Sequence, residues 1–295
     1  MPEIASHFLS LDEAPFHYAR AGTGEPLLLL HGWPEFWLTW KRVMERLGDR
    51  FDLIAPDLRG FGRSGEPDPE PSDKVGPEIH ATDMIWLLDA LGIQTCGIVS
   101  HDVGCYVAQA MARRIPERIS GLFFFGCVYP GIGNRWIAPD HIKEIWYQSF
   151  NQLPWAAALI GSSREACRLY FGNLIRQWSA RKDAFDEVME AWVDNFMTRG
   201  NIQGGFNWYR SANAMRVAMM KGELPPQPPI GLPTRVLWGA EERVLPAAWA
   251  DKLGDYFTDL EFSTLPGVGH FPHMEDPDAT SAAIRAFYDR LAKKG

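Results

Sequence analysis

The chain has 295 residues, of which 46% are hydrophobic and 22% are charged, so it is long enough for one large core or for a core that carries an insertion. Its formal net charge of −8, with no basic cluster, argues against nucleic acid and anionic membranes as partners. The longest apolar runs, such as residues 27–30, are far too short to span a bilayer.

The cysteine pattern and the N-terminus predict a cytoplasmic protein. None of the cysteines belongs to a Cys-x-x-Cys pair, and two of them fall in predicted buried strands, which predicts reduced core thiols and no metal site. Residues 1–11 have neither the basic region nor the apolar region of a signal peptide. The cysteines are Cys96, Cys105, Cys127 and Cys167.

Strand-like and helix-like segments alternate in the first part of the chain. A helix predicted over residues 103–114 has Pro116 just beyond its end as a stop signal, and residues 86–91 also have helical character. Uniformly apolar strands separated by helices are typical of a parallel sheet that is covered on both faces. The predicted strands occupy residues 27–30, 51–55, 95–100 and 121–127.

A helical block interrupts this alternation. Residues 139–220 carry helical periodicity without a clear strand, and the apolar residues from Phe185 to Phe196 fall on one helical face. Ser162 and Glu165 have the spacing of a capping box for another helix. We therefore expect this block to be an all-helical insertion into the sheet domain.

The strand pattern resumes after the proline-rich residues 224–229. Strands are predicted at 235–237 and 261–265, and a last helix begins at Asp276-Pro277. A cap over the carboxyl ends of parallel strands would cover the place where such sheets bind ligands. The predicted division is a first core part over 1–132, a helical cap over 133–227 and a second core part over 228–295.

The pentapeptide Ser100-His101-Asp102-Val103-Gly104 has the pattern of a nucleophile elbow, with aspartate at the nucleophile position. A serine that attacks a saturated carbon would leave an ether, whereas a carboxylate leaves an ester that water can cleave. A helix N-terminus also favours the ionised carboxylate. Asp102 therefore indicates attack on an epoxide or an alkyl halide, and a simple helix N-cap is the alternative role.

A general base and its acid partner are expected downstream of the nucleophile. His270 lies in a loop after a predicted strand, and an imidazole there can take a proton from water. We favour His270 over His273 because its motif fits better. We choose Glu242 as the acid that orients the base, and its neighbour Glu241 remains the alternative.

Backbone and phenol donors complete the predicted site. Trp33 follows a predicted strand in His31-Gly32-Trp33-Pro34, and its N–H together with that of Val103 is expected to form an oxyanion hole. A neutral tyrosine can donate a hydrogen bond to an epoxide oxygen as the ring opens. The helical block offers Tyr147 and Tyr209, with Tyr170 as an alternative that the sequence leaves open.

These motifs together resemble the epoxide hydrolases of the α/β-hydrolase fold. The resemblance spans nearly the whole chain and implies an α/β fold with a mostly parallel, doubly wound sheet and an inserted helical cap. It implies a small apolar epoxide and water as substrates, with no cofactor and no metal. It implies Asp102 as nucleophile, His270 as base, Glu242 as acid partner, and Tyr147 and Tyr209 as cap donors. The matching motifs are His-Gly-Trp-Pro at 31–34, Asp-Leu-Arg-Gly-Phe-Gly-Arg-Ser at 57–64, Ser-His-Asp-Val-Gly at 100–104, Asn-Trp-Tyr-Arg at 207–210 and Gly-His-Phe at 269–271.

The chain departs from the family pattern at two positions. Val103 follows the nucleophile where the family usually has tryptophan, and Glu242 stands where it usually has aspartate. Haloalkane dehalogenases commonly hold halide with that tryptophan, and fluoroacetate dehalogenases carry arginines that residues 103–108 lack. Dehalogenation is therefore the second hypothesis and a non-catalytic ligand-binding protein the third. The sequence leaves the oligomeric state open, including a homo-oligomer.

Overall fold

A computed structural model of the chain describes residues 2–11, 14–64 and 75–293, so the predicted domain limits at Met1 and Gly295 lie outside it. In the part of the chain that the structure describes, one sheet of eight strands forms the centre of the fold. The strands are β1 (Ala5–Leu11), β2 (Ala14–Ala21), β3 (Glu25–Leu30), β4 (Phe51–Pro56), β5 (Cys96–His101), β6 (Ile119–Phe125), β7 (Thr234–Gly239) and β8 (Leu260–Leu265).

The sheet is mostly parallel, as predicted. Its strand order is β1-β2-β4-β3-β5-β6-β7-β8. β1 pairs with β2 and β2 with β4 in antiparallel fashion, whereas every pair from β4 to β8 is parallel. The carboxyl ends of β3, β5, β7 and β8 therefore meet at one edge of the sheet.

Helices cover both faces of the sheet. The main-core helices are α1 (Lys41–Leu47), α2 (Pro77–Ala90), α3 (Val103–Arg114), α10 (Pro272–Glu275) and α11 (Pro277–Ala292). Leu28 and Leu30 of β3 share one hydrophobic cluster with α2 and α3. Leu27 and Leu29 share the other cluster with α1 and α11. The alternation of side chains along the strand thus places successive leucines in two separate cores.

The predicted helical insert lies between β6 and β7. Short 3₁₀ turns such as Pro130–Ile137 precede its α-helices. We call the segment Pro130–Lys221 the helical insert. Its α-helices are α4 (Trp146–Phe150), α5 (Ala156–Ile160), α6 (Arg164–Trp178), α7 (Met189–Met197), α8 (Asn201–Ser211) and α9 (Asn213–Lys221).

Two local predictions within the insert were wrong. Phe185 lies in turns before α7, which begins at Met189, so the helical periodicity from Phe185 to Phe196 extended past the real helix start. Ser163, not Ser162, caps α6 by accepting a hydrogen bond from the N–H of Ala166 at 3.1 Å. Ser162 instead donates its hydroxyl to the carbonyl of Leu159.

Other boundaries moved by a few residues. The predicted helix at 86–91 is only the end of α2, and the third and fourth strands run over Cys96–His101 and Ile119–Phe125. The antiparallel strands β1 and β2 were not predicted. All four cysteines are buried with free thiols, as predicted. None of the helices in the described ranges is both long enough and apolar enough to cross a membrane.

Candidate active site

Asp102 occupies the sharp turn between β5 and α3. Its backbone has φ 48° and ψ −112°, and it is the sole non-glycine residue with positive φ in the part of the chain that the structure describes. A side chain rarely adopts this conformation, which costs on the order of 1–3 kcal/mol and persists only where the surroundings enforce it. The turn presents the carboxylate at the carboxyl edge of the sheet, as the elbow motif predicted.

Close packing of backbone around the elbow holds the carboxylate in place. A Cβ atom on Gly104 would lie 2.4 Å from the carbonyl oxygen of Leu30, and a Cβ on Gly32 would lie 2.5 Å from the Cβ of Asp102. Only glycine allows this approach at either position. As a result, the N–H of Trp33 donates to Asp102 Oδ1 at 2.8 Å.

A second donor is available beside the first. Val103 is the first residue of α3, and the first N–H groups of a helix have no acceptor within that helix. The Val103 N–H is therefore one of the donors at the positive end of the helix, directly after Asp102 in the chain. Of the two backbone groups predicted from the sequence, the structure shows the Trp33 N–H in contact with the carboxylate, and the role of the Val103 N–H stays a prediction.

His270 and Glu242 form a buried pair on the loops that follow β8 and β7. Glu242 Oε2 lies 2.5 Å from His270 Nδ1, and both side chains are almost fully buried. The other carboxylate oxygen accepts the N–H of Val244 at 2.7 Å, which fixes the orientation of Glu242. Burial opposes the charged imidazole, but the charges of Glu242 and Asp102 outweigh it and raise the pKa of His270 to about 9.

The neighbour Glu241 points elsewhere. Its side chain is exposed, and Oε1 accepts the N–H of Gly267 at 3.1 Å. The structure therefore places Glu242, and not Glu241, against the histidine.

Tyr147 and Tyr209 enclose the indole of Trp33 from two sides. Tyr147 stacks on it with ring centroids 5.3 Å apart and planes 2° apart, and Tyr209 meets it edge-on at 5.2 Å and 90°. Burial raises the pKa of both phenols, and the charge of Asp102 raises both further, so both stay protonated at neutral pH. Tyr170 donates its hydroxyl to Asn151 Oδ1, which occupies that proton in a local contact.

Trp178 connects the parts of the site, and sequence reasoning missed it. Its ring lies 5.8 Å from Trp33, 4.7 Å from Tyr147 and 5.3 Å from His270, measured between centroids. In addition, its carbonyl accepts the N–H of His270 at 3.0 Å. No sequence motif distinguishes it from the other tryptophans of the chain, because only its place at the end of α6 creates these contacts.

A buried polar network lies behind the site. Glu35 Oε2 accepts the N–H of Gly32 at 2.8 Å and lies 2.7 Å from His101 Nδ1. His101 Nε2 in turn lies 2.7 Å from the carbonyl oxygen of His270. Burial opposes ionisation of Glu35, but His101 and His273 hold its pKa well below the usual value. The network thus links the strand turn before Trp33 to the loop that carries His270.

His273, the rival base, belongs to this network. Its Nε2 lies 2.8 Å from Glu35 Oε1 and 2.7 Å from Thr39 Oγ1. Burial lowers the pKa of His273 to about 4, so it stays neutral. Glu35, His101 and His273 also form the one cluster with metal-ligand spacing in the described ranges, with donor atoms within 4.8 Å of one another. Their mutual hydrogen bonds account for that spacing.

Comparisons with known proteins agree with this fold. The sequence matches the profile of the Alpha/beta hydrolase family over residues 27–283. It is 32% identical to "Soluble epoxide hydrolase" of Corynebacterium sp. (strain C12), covering 98% of this chain and 99% of that one. It is 27% identical to "Epoxide hydrolase 4" of Homo sapiens, covering 95% of this chain and 77% of that one.

Comparison with solved structures supports the same fold. "Epoxide hydrolase CorEH without ligand" superposes with a TM-score of 0.86 at 25% identity, covering 98% of this chain and 100% of that one. A parallel sheet with an aspartate at its elbow, an inserted helical segment and a sequence match over most of the chain define the class. This chain belongs to the α/β-hydrolase family.

Proposed function

We propose that this protein hydrolyses epoxides to vicinal diols through an ester formed on Asp102. One arrangement carries the proposal: the elbow carboxylate, held by the N–H of Trp33, and the Glu242–His270 pair follow strands that end at the same edge of the sheet, and the rings of Tyr147 and Tyr209 contact the indole of Trp33. A carboxylate nucleophile, acid donors for a leaving oxygen and a base for water are the three groups that this reaction needs. The relatives named as epoxide hydrolases support the same reaction.

In the first step the carboxylate attacks one carbon of the epoxide ring. Asp102 Oδ1 is held by the N–H of Trp33, so Oδ2 is the oxygen that attacks. The carbon–oxygen bond of the ring breaks, and its electron pair goes to the ring oxygen. Tyr147 and Tyr209 donate hydrogen bonds to that oxygen as it becomes an alkoxide. One phenol gives the alkoxide its proton and recovers a proton from the protonated His270.

In the second step water cleaves the ester. Esterification removes the negative charge of Asp102, which is one of the charges that raise the pKa of His270, so the imidazole loses its proton more readily. Neutral His270 takes a proton from water, and the hydroxide attacks the ester carbon. The charge develops on Oδ1, which the N–H groups of Trp33 and Val103 stabilise. Collapse of the intermediate breaks the bond from the ester carbon to Oδ2, and the proton of the new carboxyl group passes to the departing alkoxide, which releases the diol and restores the carboxylate.

The helical insert acts as the cap in this proposal, because it supplies both phenols. We keep the predicted division into core residues 1–132, cap residues 133–227 and core residues 228–295 as part of the proposal. A cytoplasmic location stays a prediction. Val103 has no side-chain N–H to hold a halide ion, so we expect no halide release from haloalkanes.

Substitution of the base tests the proposal directly. His270→Gln should allow the first step and block the second, so incubation with styrene oxide should add the mass of the epoxide to the peptide that contains Asp102. Asp102→Asn is the matched control and should gain no mass. Single turnover of the wild-type protein in heavy-oxygen water should place the label in Asp102. Diol formation with label only in the diol would refute the ester intermediate.

A further inference from the structure

Arg216 is a buried cation to which the described residues supply no anionic partner. Its side chain on α9 is only 7% exposed, and its Nη2 donates to Gln148 Oε1. The guanidinium carbon lies 6.0 Å from the ring centroid of Tyr209. No carboxylate within 4 Å pairs with it among the residues that the structure describes. A guanidinium cannot escape this burial by losing its proton, so an unpaired one is costly.

Other arginines of this chain show the contrast. Arg20 binds Asp52 and Arg135 binds Asp251, and both are more exposed than Arg216. Arg216 is thus the more deeply buried cation, and the described residues supply it with no carboxylate. Buried charges in proteins are normally paired.

The guanidinium lies beside the groups that handle the epoxide oxygen. Arginine has only donors, so its bond to Gln148 fixes the amide oxygen toward Arg216 and the amide nitrogen toward Tyr147. Gln148 Nε2 accordingly donates to the Tyr147 hydroxyl oxygen at 3.2 Å. Arg216 is thus one amide group and two hydrogen bonds away from a phenol of the proposed site.

Both phenols feel the charges of Arg216 and Asp102. Burial raises the pKa of Tyr147, Asp102 raises it further, and Arg216 lowers it. The same three influences act on Tyr209. The guanidinium and the elbow carboxylate are therefore both within electrostatic range of the two phenols, and the contacts of Arg216 with Gln148 and with the Tyr209 ring locate the guanidinium beside them.

We propose that Arg216 binds a carboxylate on the substrate, so that the protein acts on epoxides that carry an acid group a short distance from the ring. This inference rests on the proposed function. Arg216 uses only one of its five N–H donors on Gln148, and a planar guanidinium fits a carboxylate through two parallel bonds. A monoanion balances its single charge, whereas a phosphate dianion would add surplus negative charge near Asp102 and Glu242.

The aromatic walls define the rest of the substrate. The rings of Trp33, Tyr147, Tyr209 and Trp178 pack against one another, and the backbone N–H of Trp33 holds the nucleophile. The predicted small apolar epoxide is therefore refined to one with an apolar body and a single anionic end.

The test compares acids with their uncharged amides. The substrates are para-carboxystyrene oxide and oxiraneacetate, which place the acid at two distances from the ring, and the primary amide of each. Amides are used because a hydrolase could cleave an ester. For at least one pair, the wild-type kcat/KM should favour the acid by roughly 10- to 100-fold, the size of a lost charged hydrogen bond.

Variants locate the source of that preference. Arg216→Met should abolish the preference, so that kcat/KM for the acid falls to the value for its amide. Arg216→Lys should restore part of the preference because the charge returns without the planar fork. Arg199→Met, at an exposed arginine of the helical insert, is the matched control and should keep the full preference.

Two results would overturn the inference. The first is a wild-type protein that hydrolyses acid and amide equally at both lengths. The second is an Arg216→Met protein that slows on acid and amide alike, which would show that Arg216 acts through Gln148 on Tyr147. Calorimetric binding of the product diol acid and diol amide to wild type and Arg216→Met decides the matter even if neither epoxide is hydrolysed. If the wild-type protein hydrolyses none of these epoxides, that result contradicts the proposed function and leaves the binding role of Arg216 to the calorimetric comparison.

Discussion

The Glu242–His270 pair yields a prediction about rate, because hydrolysis of the ester creates a positive charge on His270. Glu242→Gln keeps the shape of the side chain and removes its negative charge. A buried hydrogen bond to a charged group is worth about 2–3 kcal/mol, so the second step should slow by about 30- to 150-fold. The distance of 2.5 Å and the near-complete burial of both side chains favour the upper part of that range.

The assay separates the two chemical steps. Rapid mixing with excess enzyme should show the first step close to the wild-type rate and slow decay of the ester, which mass spectrometry detects on the Asp102 peptide. Glu241→Gln is the matched control, since Glu241 is exposed and bonds only to the backbone of Gly267 among the described residues. A Glu242→Gln protein that clears the ester at the wild-type rate would refute the reasoning.

The same pair predicts how stability depends on pH. The pKa of His270 is raised from 6.5 to about 9 in the folded protein, so folding favours the protonated imidazole. The resulting stability is complete below about pH 6.5 and is lost as the pH rises to about 9, with a total of about 3 kcal/mol. In Glu242→Gln this loss of stability with rising pH should be smaller, because the charge of Glu242 no longer opposes the effect of burial and the pKa of folded His270 is raised less. Urea unfolding of both proteins at pH 6.5 and pH 9 measures the difference.

The remaining predictions concern the helical insert and the elbow. Replacement of both Tyr147 and Tyr209 by Phe should lower the rate of ester formation at least 100-fold, because two hydrogen bonds to the alkoxide are lost. Tyr170→Phe is the control and should leave that rate near the wild-type value. Stopped-flow fluorescence with styrene oxide measures ester formation, and equal effects at all three tyrosines would contradict the assignment. Gly104→Ala should lower the free energy of unfolding by about 1–3 kcal/mol, because the alanine Cβ would lie 2.4 Å from the carbonyl oxygen of Leu30. Urea unfolding measures this loss. An unchanged urea midpoint would show that the backbone moves apart without cost.

Local sequence patterns predicted the sheet core well. The apolar run at 27–30 and the elbow at 100–104 determine a buried strand and a strand–turn–helix unit from their own residues, and α3 occupies the predicted 103–114. The hydrophobic pattern gave a wrong helix boundary where an apolar residue with helical spacing lies outside the helix. Phe185 is apolar and has helical spacing, yet it packs on Phe271 and Trp192 from a turn.

The sequence by itself predicted which side chains carry the proposed chemistry, because an aspartate elbow and a downstream histidine loop are short motifs that indicate a particular chemistry. Only the tertiary structure shows the contacts of these residues and of their alternatives: Glu242 and not Glu241 lies against His270, His273 bonds to Glu35, and Tyr170 donates to Asn151. It also showed that Arg216 is buried without a carboxylate partner among residues 2–11, 14–64 and 75–293. Such distinctions depend on which groups from distant segments meet in a buried space, and no spacing along the chain encodes that directly.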